Sequence, residues 1–234
     1  MNMSRKTISA FKRELLEREA RKNWDKFYKR NTCNFFKDRH WIKDEFVQLC
    51  PELDWKEPLI GLEAGCGVGN LLFPLCEVFP DLFMNACDFS PRAVQFVKVH
   101  STNDSLLDHL KPDSIDFCCL IFVLSAINPD KMNYVVKNIY KILKTDGLVI
   151  FRDYAENDHA MLRFNERQKI SEKLYVRQDG TRAYFFSENE LSDLFCSNGF
   201  ADDIIELVHK KTINIKEGVN VPRTFVQCKF RKIV

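Results

Sequence analysis

Three glycines and two acids, close together in the sequence, are the residues best suited to bind a cofactor. Gly65, Gly67 and Gly69 alternate with other residues just after Glu63, and Asp88 comes 19 residues after the last glycine. Glycine reaches backbone angles closed to other residues, so a ligand can lie directly against the main chain. A carboxylate at the end of the neighbouring strand can bind both ribose hydroxyls of a nucleoside. The spacing therefore predicts a site for a nucleoside cofactor.

Charge and glycine spacing distinguish two classes of cofactor. A nicotinamide fingerprint reads G-x-G-x-x-G and places a pyrophosphate at a helix N-terminus. Here the spacing is G-x-G-x-G, and the Glu63 carboxylate that opens the turn would repel a pyrophosphate. S-adenosylmethionine has a sulfonium, an ammonium and no phosphate, so it is the expected cofactor. The alternative is a tight turn in an unrelated α/β protein.

The strands and helices predicted around this turn would place it at the carboxyl ends of the strands of a parallel sheet. Apolar runs predict buried strands at residues 59–62, 82–88, 115–127 and 148–152, and helical periodicity predicts helices at residues 8–27, 43–49, 90–99, 130–143 and 187–198. Two long strands, 203–215 and 221–233, would form an antiparallel pair at the end of the sheet. This order predicts an α/β, Rossmann-like doubly wound sheet of the class I methyltransferase type.

Two segments depart from that pattern. Residues 100–114 are polar where a third, edge strand should lie, so that strand is expected to be missing and only a short helix is predicted. Residues 153–173 are also polar and are predicted to be mobile. After them, Asp179-Gly180 predicts a hairpin turn between two short strands. Ser187 and Glu190 then predict the N-terminal cap of a helix, and Gly199 predicts its end.

Composition limits the classes of function. The 234 residues are 45% hydrophobic and 29% charged, which suits a globular domain with its own core. No apolar run approaches the roughly 20 residues that span a bilayer, and the N-terminus lacks the apolar centre of a secretory signal. The nine cysteines are scattered without metal-ligand spacing. We therefore expect no metal and no membrane partner, and a reducing location, the cytoplasm with the nucleus as a second site.

Charge is unevenly distributed along the chain. Residues 1–43 carry 13 Lys and Arg against 5 Asp and Glu, and residues 207–234 carry 7 against 1. Basic ends on an acidic middle predict an anionic partner. Aromatic residues between the charges of residues 24–41 could stack on bases, or could hold an N-terminal cap on the core. We divide the chain into a basic helical cap that would bind this anionic partner, residues 1–57, and a class I methyltransferase domain, residues 58–234.

Several longer blocks resemble one family. The most specific read Trp24-Asp-Lys-Phe-Tyr28, Phe35-Phe-Lys-Asp-Arg-His-Trp41 and Tyr175-Val-Arg-Gln-Asp-Gly-Thr-Arg182. They are similar to those of the methyltransferase-like family of tRNA 3-methylcytidine methyltransferases, and the matching blocks cover nearly the whole chain. The resemblance implies methylation of the cytidine on the 5′ side of the anticodon loop, with S-adenosyl-L-methionine as cofactor. It is strongest to the branch that acts on serine tRNA with seryl-tRNA synthetase as partner.

The resemblance also implies roles for individual residues. Trp24 and Tyr28 would close over the cofactor, Gly65 would contact its methionine part, Asp88 its ribose and Ile121 its adenine, with Glu63 and Gly67 completing the turn. Three residues of the second block would meet the tRNA backbone: Lys37, Arg39 and His40.

Chemistry adds candidates at the carboxyl ends of the strands. N3 of cytidine has a free lone pair, so catalysis requires positioning and stabilisation of the cation that forms rather than a strong base. Asp153 could offset that charge and Tyr154 could stack on the base, although both are also suited to structural roles. Arg177 and Arg182 flank the hairpin turn and could bind phosphate or lie in solvent.

One departure from the family bears on activity. In relatives, a segment of a dozen or more residues after the helix holding Arg92 carries the third strand and an acid that contacts the adenine amine. Here that segment is shortened, and Asp104 or Asp108 could replace the acid. A module that binds tRNA or a synthetase with weakened catalysis is therefore one alternative, and a small-molecule methyltransferase is another.

Overall fold

The computed structural model describes residues 8–33, 35, 42–98, 110–214 and 219–234. The predicted tRNA contacts Lys37, Arg39 and His40 lie outside the described residues. The shortened segment with Asp104 and Asp108 also lies outside them.

Most of the helices and strands follow one another in the predicted order. The helices are α1 (Ala10–Arg18), α2 (Ala20–Asn31), α3 (Ile42–Leu49), α4 (Leu72–Val78), α5 (Pro91–Lys98), α6 (Pro129–Ile142), α7 (His159–Leu162) and α8 (Glu188–Cys196). The strands are β1 (Ile60–Ala64), β2 (Phe83–Cys87), β3 (Ile115–Ile121), β4 (Leu143–Tyr154), β5 (Lys169–Ser171), β6 (Leu174–Val176), β7 (Arg182–Tyr184), β8 (Phe200–Asn214) and β9 (Val219–Lys232).

The main sheet has the order β2-β1-β3-β4-β9-β8. The first four strands are parallel, and β9 pairs antiparallel with both β4 and β8. This confirms the class I methyltransferase arrangement with its antiparallel end. Among the described residues β2 pairs only with β1, as expected if the third strand is missing, and Phe83 at that edge is 65% exposed.

The two faces of the sheet bury separate clusters, as a doubly wound fold requires. One cluster packs Leu120 and Phe151 against α6 and α8, and the other packs Phe117 and Ile121 against α3 and α4. Burying such a side chain stabilises the fold by about 1.5–3 kcal/mol. Because both faces are covered, the central strands are apolar at nearly every position.

Three of the structural predictions are wrong. The strand predicted over residues 115–127 ends at Ile121, because Phe122 takes a left-handed conformation with φ +60° and the chain enters a 3-10 helix, Leu124–Ala126. The helix predicted over residues 8–27 divides at Glu19 into α1 and α2. The segment predicted to be mobile, residues 153–173, instead contains α7 and β5, and β5 joins β6 and β7 in a small second sheet.

Turn and cap signals are confirmed. The Asp179-Gly180 turn joins β6 and β7, with Gly180 at φ +84°. Ser187 caps α8 and forms a capping box with Glu190, and Gly199 follows the helix at φ +88°. Across the described part of the chain, we find no helix with the length and apolar character that crossing a membrane would require.

Candidate active site

The glycine turn after β1 is held against β2 and roofed by other elements. The amides of Gly65 and Cys66 donate to the Cys87 carbonyl oxygen at 2.7 and 2.9 Å. Gly67 has φ +54°, and a Cβ atom there would lie 2.6 Å from the Tyr28 hydroxyl oxygen. A Cβ atom on Gly65 would lie 2.6 Å from Val123. At these two positions, only glycine avoids a collision with the side chains of Tyr28 and Val123 that cover the turn.

Asp88, directly after β2, faces the same turn. One of its carboxylate oxygens accepts the Gly67 amide at 3.0 Å, and the other accepts the Ser90 amide at 2.8 Å. Burial raises the pKa of Asp88, and these two amide hydrogen bonds oppose the rise. Each oxygen keeps a lone pair for a further donor. The carboxylate is thus fixed in place and able to accept two ribose hydroxyls.

A cavity of about 550 Å³ opens between α1, α2 and the carboxyl ends of β1, β2 and β3. Its volume is within the range of small-molecule sites. Four of the predicted cofactor residues line it, namely Trp24, Tyr28, Gly65 and Asp88. The Trp24 and Tyr28 rings lie 6.1 Å apart between centroids and form an aromatic wall opposite the glycine turn.

The remaining predicted cofactor residues lie next to the cavity rather than on its surface. Glu63 is buried at the end of β1, and Gly67 lies beneath Tyr28. Ile121 points to the face that packs against α3, while its neighbour Leu120 lines the cavity. Contact of Ile121 with adenine stays a prediction.

Polar contacts fasten the N-terminal helices to the domain around this cavity. Asp25 of α2 accepts hydrogen bonds from the Ser90 hydroxyl and the Arg92 amide, both at 3.1 Å, where α5 begins. Asn23 donates to the Gly180 carbonyl oxygen at 3.1 Å in the β6–β7 turn. The roof of the cavity is thereby attached both to the turn that orients Asp88 and to the small sheet.

Asp153, a predicted catalytic residue, is fully buried behind the cavity wall. Its oxygens accept the amides of Ser125 and Tyr154, both at 2.9 Å. Burial raises the pKa of Asp153 to about 6, against the opposing effect of these hydrogen bonds. Asp153 therefore anchors the 3-10 helix whose last residue, Ala126, lines the cavity. A direct role in catalysis stays a prediction.

Tyr154 lies one ring behind the cavity. Its ring centroid is 5.2 Å from that of Phe122, which lines the cavity. The guanidinium carbons of Arg177 and Arg223 lie 5.5 and 5.6 Å from the Tyr154 ring. Stacking of Tyr154 on the target base stays a prediction.

The two arginines of the hairpin have different surroundings. Arg177 donates to the Arg182 carbonyl oxygen at 2.6 Å, across the turn. Arg182 lines the cavity, donates to the Ala126 carbonyl oxygen at 3.2 Å and forms an ion pair with Glu17 of α1. Phosphate binding by either arginine stays a prediction.

Several cavity residues were missed from the sequence. Phe89, Phe122 and Val123 follow β2 and β3 directly, so the rule that ligands bind at the carboxyl ends of strands could have found them. Glu17 and Lys131 could not have been found, because their contribution depends on how α1 docks against α6. In the residues that the structure describes, no group of His, Cys, Asp and Glu could hold a metal ion.

Comparison with known proteins places this geometry in a family. A methyltransferase-domain family matches residues 12–204. The tRNA N(3)-cytidine methyltransferase METTL6 of Rattus norvegicus is 54% identical over 241 positions, covering 96% of this chain and 84% of that protein. The tRNA N(3)-methylcytidine methyltransferase trm141 of Schizosaccharomyces pombe is 42% identical, covering 97% and 98%. A Saccharomyces cerevisiae relative, named tRNA(Thr) (cytosine(32)-N(3))-methyltransferase, is 36% identical, covering 95% and 38%.

The alignment with the rat protein also bears on the shortened segment. Since 96% of the chain is about 225 residues, about 16 of the 241 aligned positions hold no residue of this chain. That number agrees with the predicted loss of a dozen or more residues after α5.

A solved structure with a similar fold completes the comparison. The 1,6-didemethyltoxoflavin-N1-methyltransferase of Burkholderia thailandensis, with S-adenosylhomocysteine bound, aligns with a TM-score of 0.56 at 14% identity, covering 98% of this chain and 92% of that one. At that identity the likeness shows a shared fold. Together with the relatives above, it leads to one conclusion: the chain belongs to the family of tRNA N(3)-cytidine methyltransferases.

Proposed function

We propose that this protein transfers a methyl group from S-adenosylmethionine to N3 of cytidine 32 in the anticodon loop of serine tRNA. The single observation that carries the proposal is the cavity between the basic cap and the carboxyl ends of the strands, with the Asp88 carboxylate fixed at its inner end. Similarity to relatives named for cytidine N3 supports the target atom. The choice of serine tRNA rests on the resemblance of the sequence blocks.

The residues around the glycine turn fit the cofactor. Gly65 lines the cavity and a side chain there would collide with Val123, so at this position the main chain itself would face the ligand. Asp88 would hold the ribose, and Trp24 with Tyr28 would shield the reacting groups from water. The bound cofactor supplies an electrophilic methyl group.

The reaction at N3 explains what the remaining residues do. The N3 lone pair of cytosine is largely unprotonated at neutral pH, so the protein need not remove a proton. The base must leave its stack to reach the cavity. The cavity walls then align N3 with the methyl group, and Asp153 keeps the Leu124–Ala126 turn in place beside it.

Nucleoside mass spectrometry tests the proposal. The full chain is incubated with a serine tRNA transcript and S-adenosylmethionine, and the digest should contain 3-methylcytidine. A matched transcript with uridine at position 32 should contain none. Methylation at another base, or 3-methylcytidine from the uridine transcript, would overturn the assignment.

The synthetase is a second part of the proposal. The branch that the chain resembles works with seryl-tRNA synthetase, so adding that enzyme should raise the methylation rate, and threonyl-tRNA synthetase is the control. We place the reaction in the cytoplasm, with the nucleus as a second location. Fractionation of cells that express a tagged chain would test this.

A tRNA-binding module with weakened catalysis is a second candidate function. The roughly 16 aligned positions that this chain lacks favour it, because the resemblance implies that the shortened segment holds an adenine contact in relatives. Calorimetry distinguishes the two candidates. A module without catalysis would bind serine tRNA but give no heat with S-adenosylmethionine, whereas the enzyme would bind both.

A further inference from the structure

The cavity is lined by an excess of cations that its role as a cofactor site does not explain. Besides Asp88, five charged side chains line it: Glu17, Arg18, Arg21, Lys131 and Arg182. They come from the consecutive helices α1 and α2 and from α6 and β7, which lie much further along the sequence. Four cations thus face two acids. A cavity with this balance attracts an anion.

Two of the four cations already form ion pairs within the protein. Glu17 forms ion pairs with both Lys131 and Arg182, and Arg182 also donates to the Ala126 carbonyl oxygen. Hydrogen bonds from these two cations lower the pKa of Glu17, although burial acts in the opposite direction. Glu17 is therefore an ionised carboxylate that ties α1 to α6 and β7, and it leaves a positive excess at the cavity.

Arg18 and Arg21 are the other two cations. Both are exposed and both line the cavity, so they lie at its rim where it meets solvent. Within the described ranges, neither side chain has an ion-pair partner. Arg21, Trp24 and Tyr28 lie three and four residues apart in α2, the spacing that places side chains on one face of a helix, and Arg18, the last residue of α1, lines the same cavity. The two arginines thus continue the aromatic wall outward.

We propose that Arg18 and Arg21 bind the phosphodiester next to the target nucleotide while its base lies in the cavity. This inference rests on the proposed function, because an extruded base enters the cavity and its backbone stays outside. Guanidinium groups suit phosphate, since they offer a planar pair of donors. The carboxylate of the cofactor is the other anion that could reach the rim, and the experiment must separate the two.

The experiment compares two double variants that lose the same charge. Arg18→Ala with Arg21→Ala removes the rim cations. Lys12→Ala with Lys26→Ala is the control, because both lysines are exposed on α1 and α2 and neither lines the cavity. Affinity for a serine tRNA anticodon stem-loop is measured over a range of salt concentrations. Affinity for S-adenosylmethionine is measured by calorimetry.

We expect the rim variant to bind the stem-loop about 5- to 30-fold more weakly, with cofactor affinity unchanged. The slope of log affinity against log salt should fall by about 0.7 for each lost phosphate contact. The control variant should show a smaller loss of stem-loop affinity and a smaller change in its salt dependence. The variant with Arg18→Lys and Arg21→Lys should regain part of the salt dependence that the alanine variant loses.

Equal losses in the rim variant and the control would overturn the proposal, since they would indicate a diffuse charge effect. Loss of cofactor affinity alone would assign the arginines to the cofactor carboxylate and would also overturn it. The stem-loop assay needs no methyl transfer. A wild-type chain that binds the stem-loop through the rim but forms no 3-methylcytidine would therefore contradict the proposed function and leave this site standing.

Discussion

Burial and hydrogen bonding together fix the Asp88 carboxylate, which we propose binds the cofactor ribose. The amides of Gly67 and Ser90 fix both oxygens, and burial raises the pKa of the carboxyl group. The charged form is the one that accepts two ribose hydroxyls. A raised pKa means that Asp88 becomes protonated at a higher pH than an ordinary aspartate, whose pKa is about 3.9.

Cofactor affinity should therefore weaken as the pH falls, and the loss should begin at a higher pH than an ordinary aspartate would cause. The protonated carboxyl loses acceptor capacity before an exposed aspartate would. Asp88→Asn should bind S-adenosylmethionine about 10- to 150-fold more weakly at neutral pH and lose this pH dependence. Calorimetry of both proteins over a series of pH values measures these affinities. If the affinity of the variant falls with pH in parallel with that of the wild type, another group is responsible for the titration.

Asp153 leads to a prediction about folding stability, whose dependence on pH should run in the opposite direction. Burial raises its folded-state pKa to about 6, whereas an aspartate in the unfolded chain has a pKa of about 3.9. A carboxyl with a raised folded pKa is more costly to bury once ionised, so stability falls as the pH rises through this interval. As the pH rises from about 3.9 to about 6 and beyond, the free energy of unfolding of the wild type should fall by about 3 kcal/mol relative to that of Asp153→Asn. Urea unfolding at a series of pH values measures this difference.

The same position tests the predicted role in catalysis. Asp153→Ala removes the acceptor of the Ser125 amide and should slow methyl transfer by loosening the Leu124–Ala126 turn. Cofactor affinity, which we propose depends on Asp88, should change little. An unchanged methylation rate would exclude Asp153 from the mechanism altogether.

Among the elements, α2 should control cofactor retention. Its Asp25 bonds to the first turn of α5, directly after the residues that orient Asp88. Asp25→Ala should raise the dissociation constant for S-adenosylmethionine about 5- to 30-fold, because the roof of the cavity detaches at one end. Lys26→Ala, on the exposed side of the same helix, is the matched control. Equal affinities for the two variants would mean that α2 needs no such attachment.

Elements with strong local signals were predictable from the sequence. The glycine turn, the Asp179-Gly180 hairpin and the Ser187 capping box each depend on a few neighbouring residues, and each is confirmed. The end of β3 was not predictable. Residues 122–127 continue an apolar run, and only the left-handed conformation of Phe122 ends the strand.

The site was predictable only in part, for a related reason. The glycines and Asp88 are recognisable by residue type, and the structure brings Gly65 and Asp88 to one cavity. In a strand buried on both faces, every residue is apolar, so alternation cannot indicate which side chain faces the ligand. Hence Leu120 lines the cavity although Ile121 was predicted to contact adenine. The cations at the rim depend on docking between distant elements, which no local pattern encodes.

At the scale of the whole molecule, one edge of the sheet is where we expect this chain to differ from its relatives. Among the described residues β2 pairs on one side only, and about 16 aligned positions are empty in this chain. The core survives because β1, β3 and β4 remain covered on both faces. The resemblance places an acid of relatives in the shortened segment, so we expect the difference to fall at the adenine end of the cavity.

Restoring that segment should therefore raise cofactor affinity without altering the rest of the fold. We would replace residues 99–109 with the longer counterpart from the rat relative and measure S-adenosylmethionine binding by calorimetry. A charged hydrogen bond contributes about 1.5–3 kcal/mol, so the chimera should bind about 10- to 150-fold more tightly. A second chimera with Asn in place of the added acid is the matched control and should lose most of that gain. If the original chain binds as tightly as the chimera, its own residues already supply the adenine contact, and the weakened-enzyme alternative loses its support.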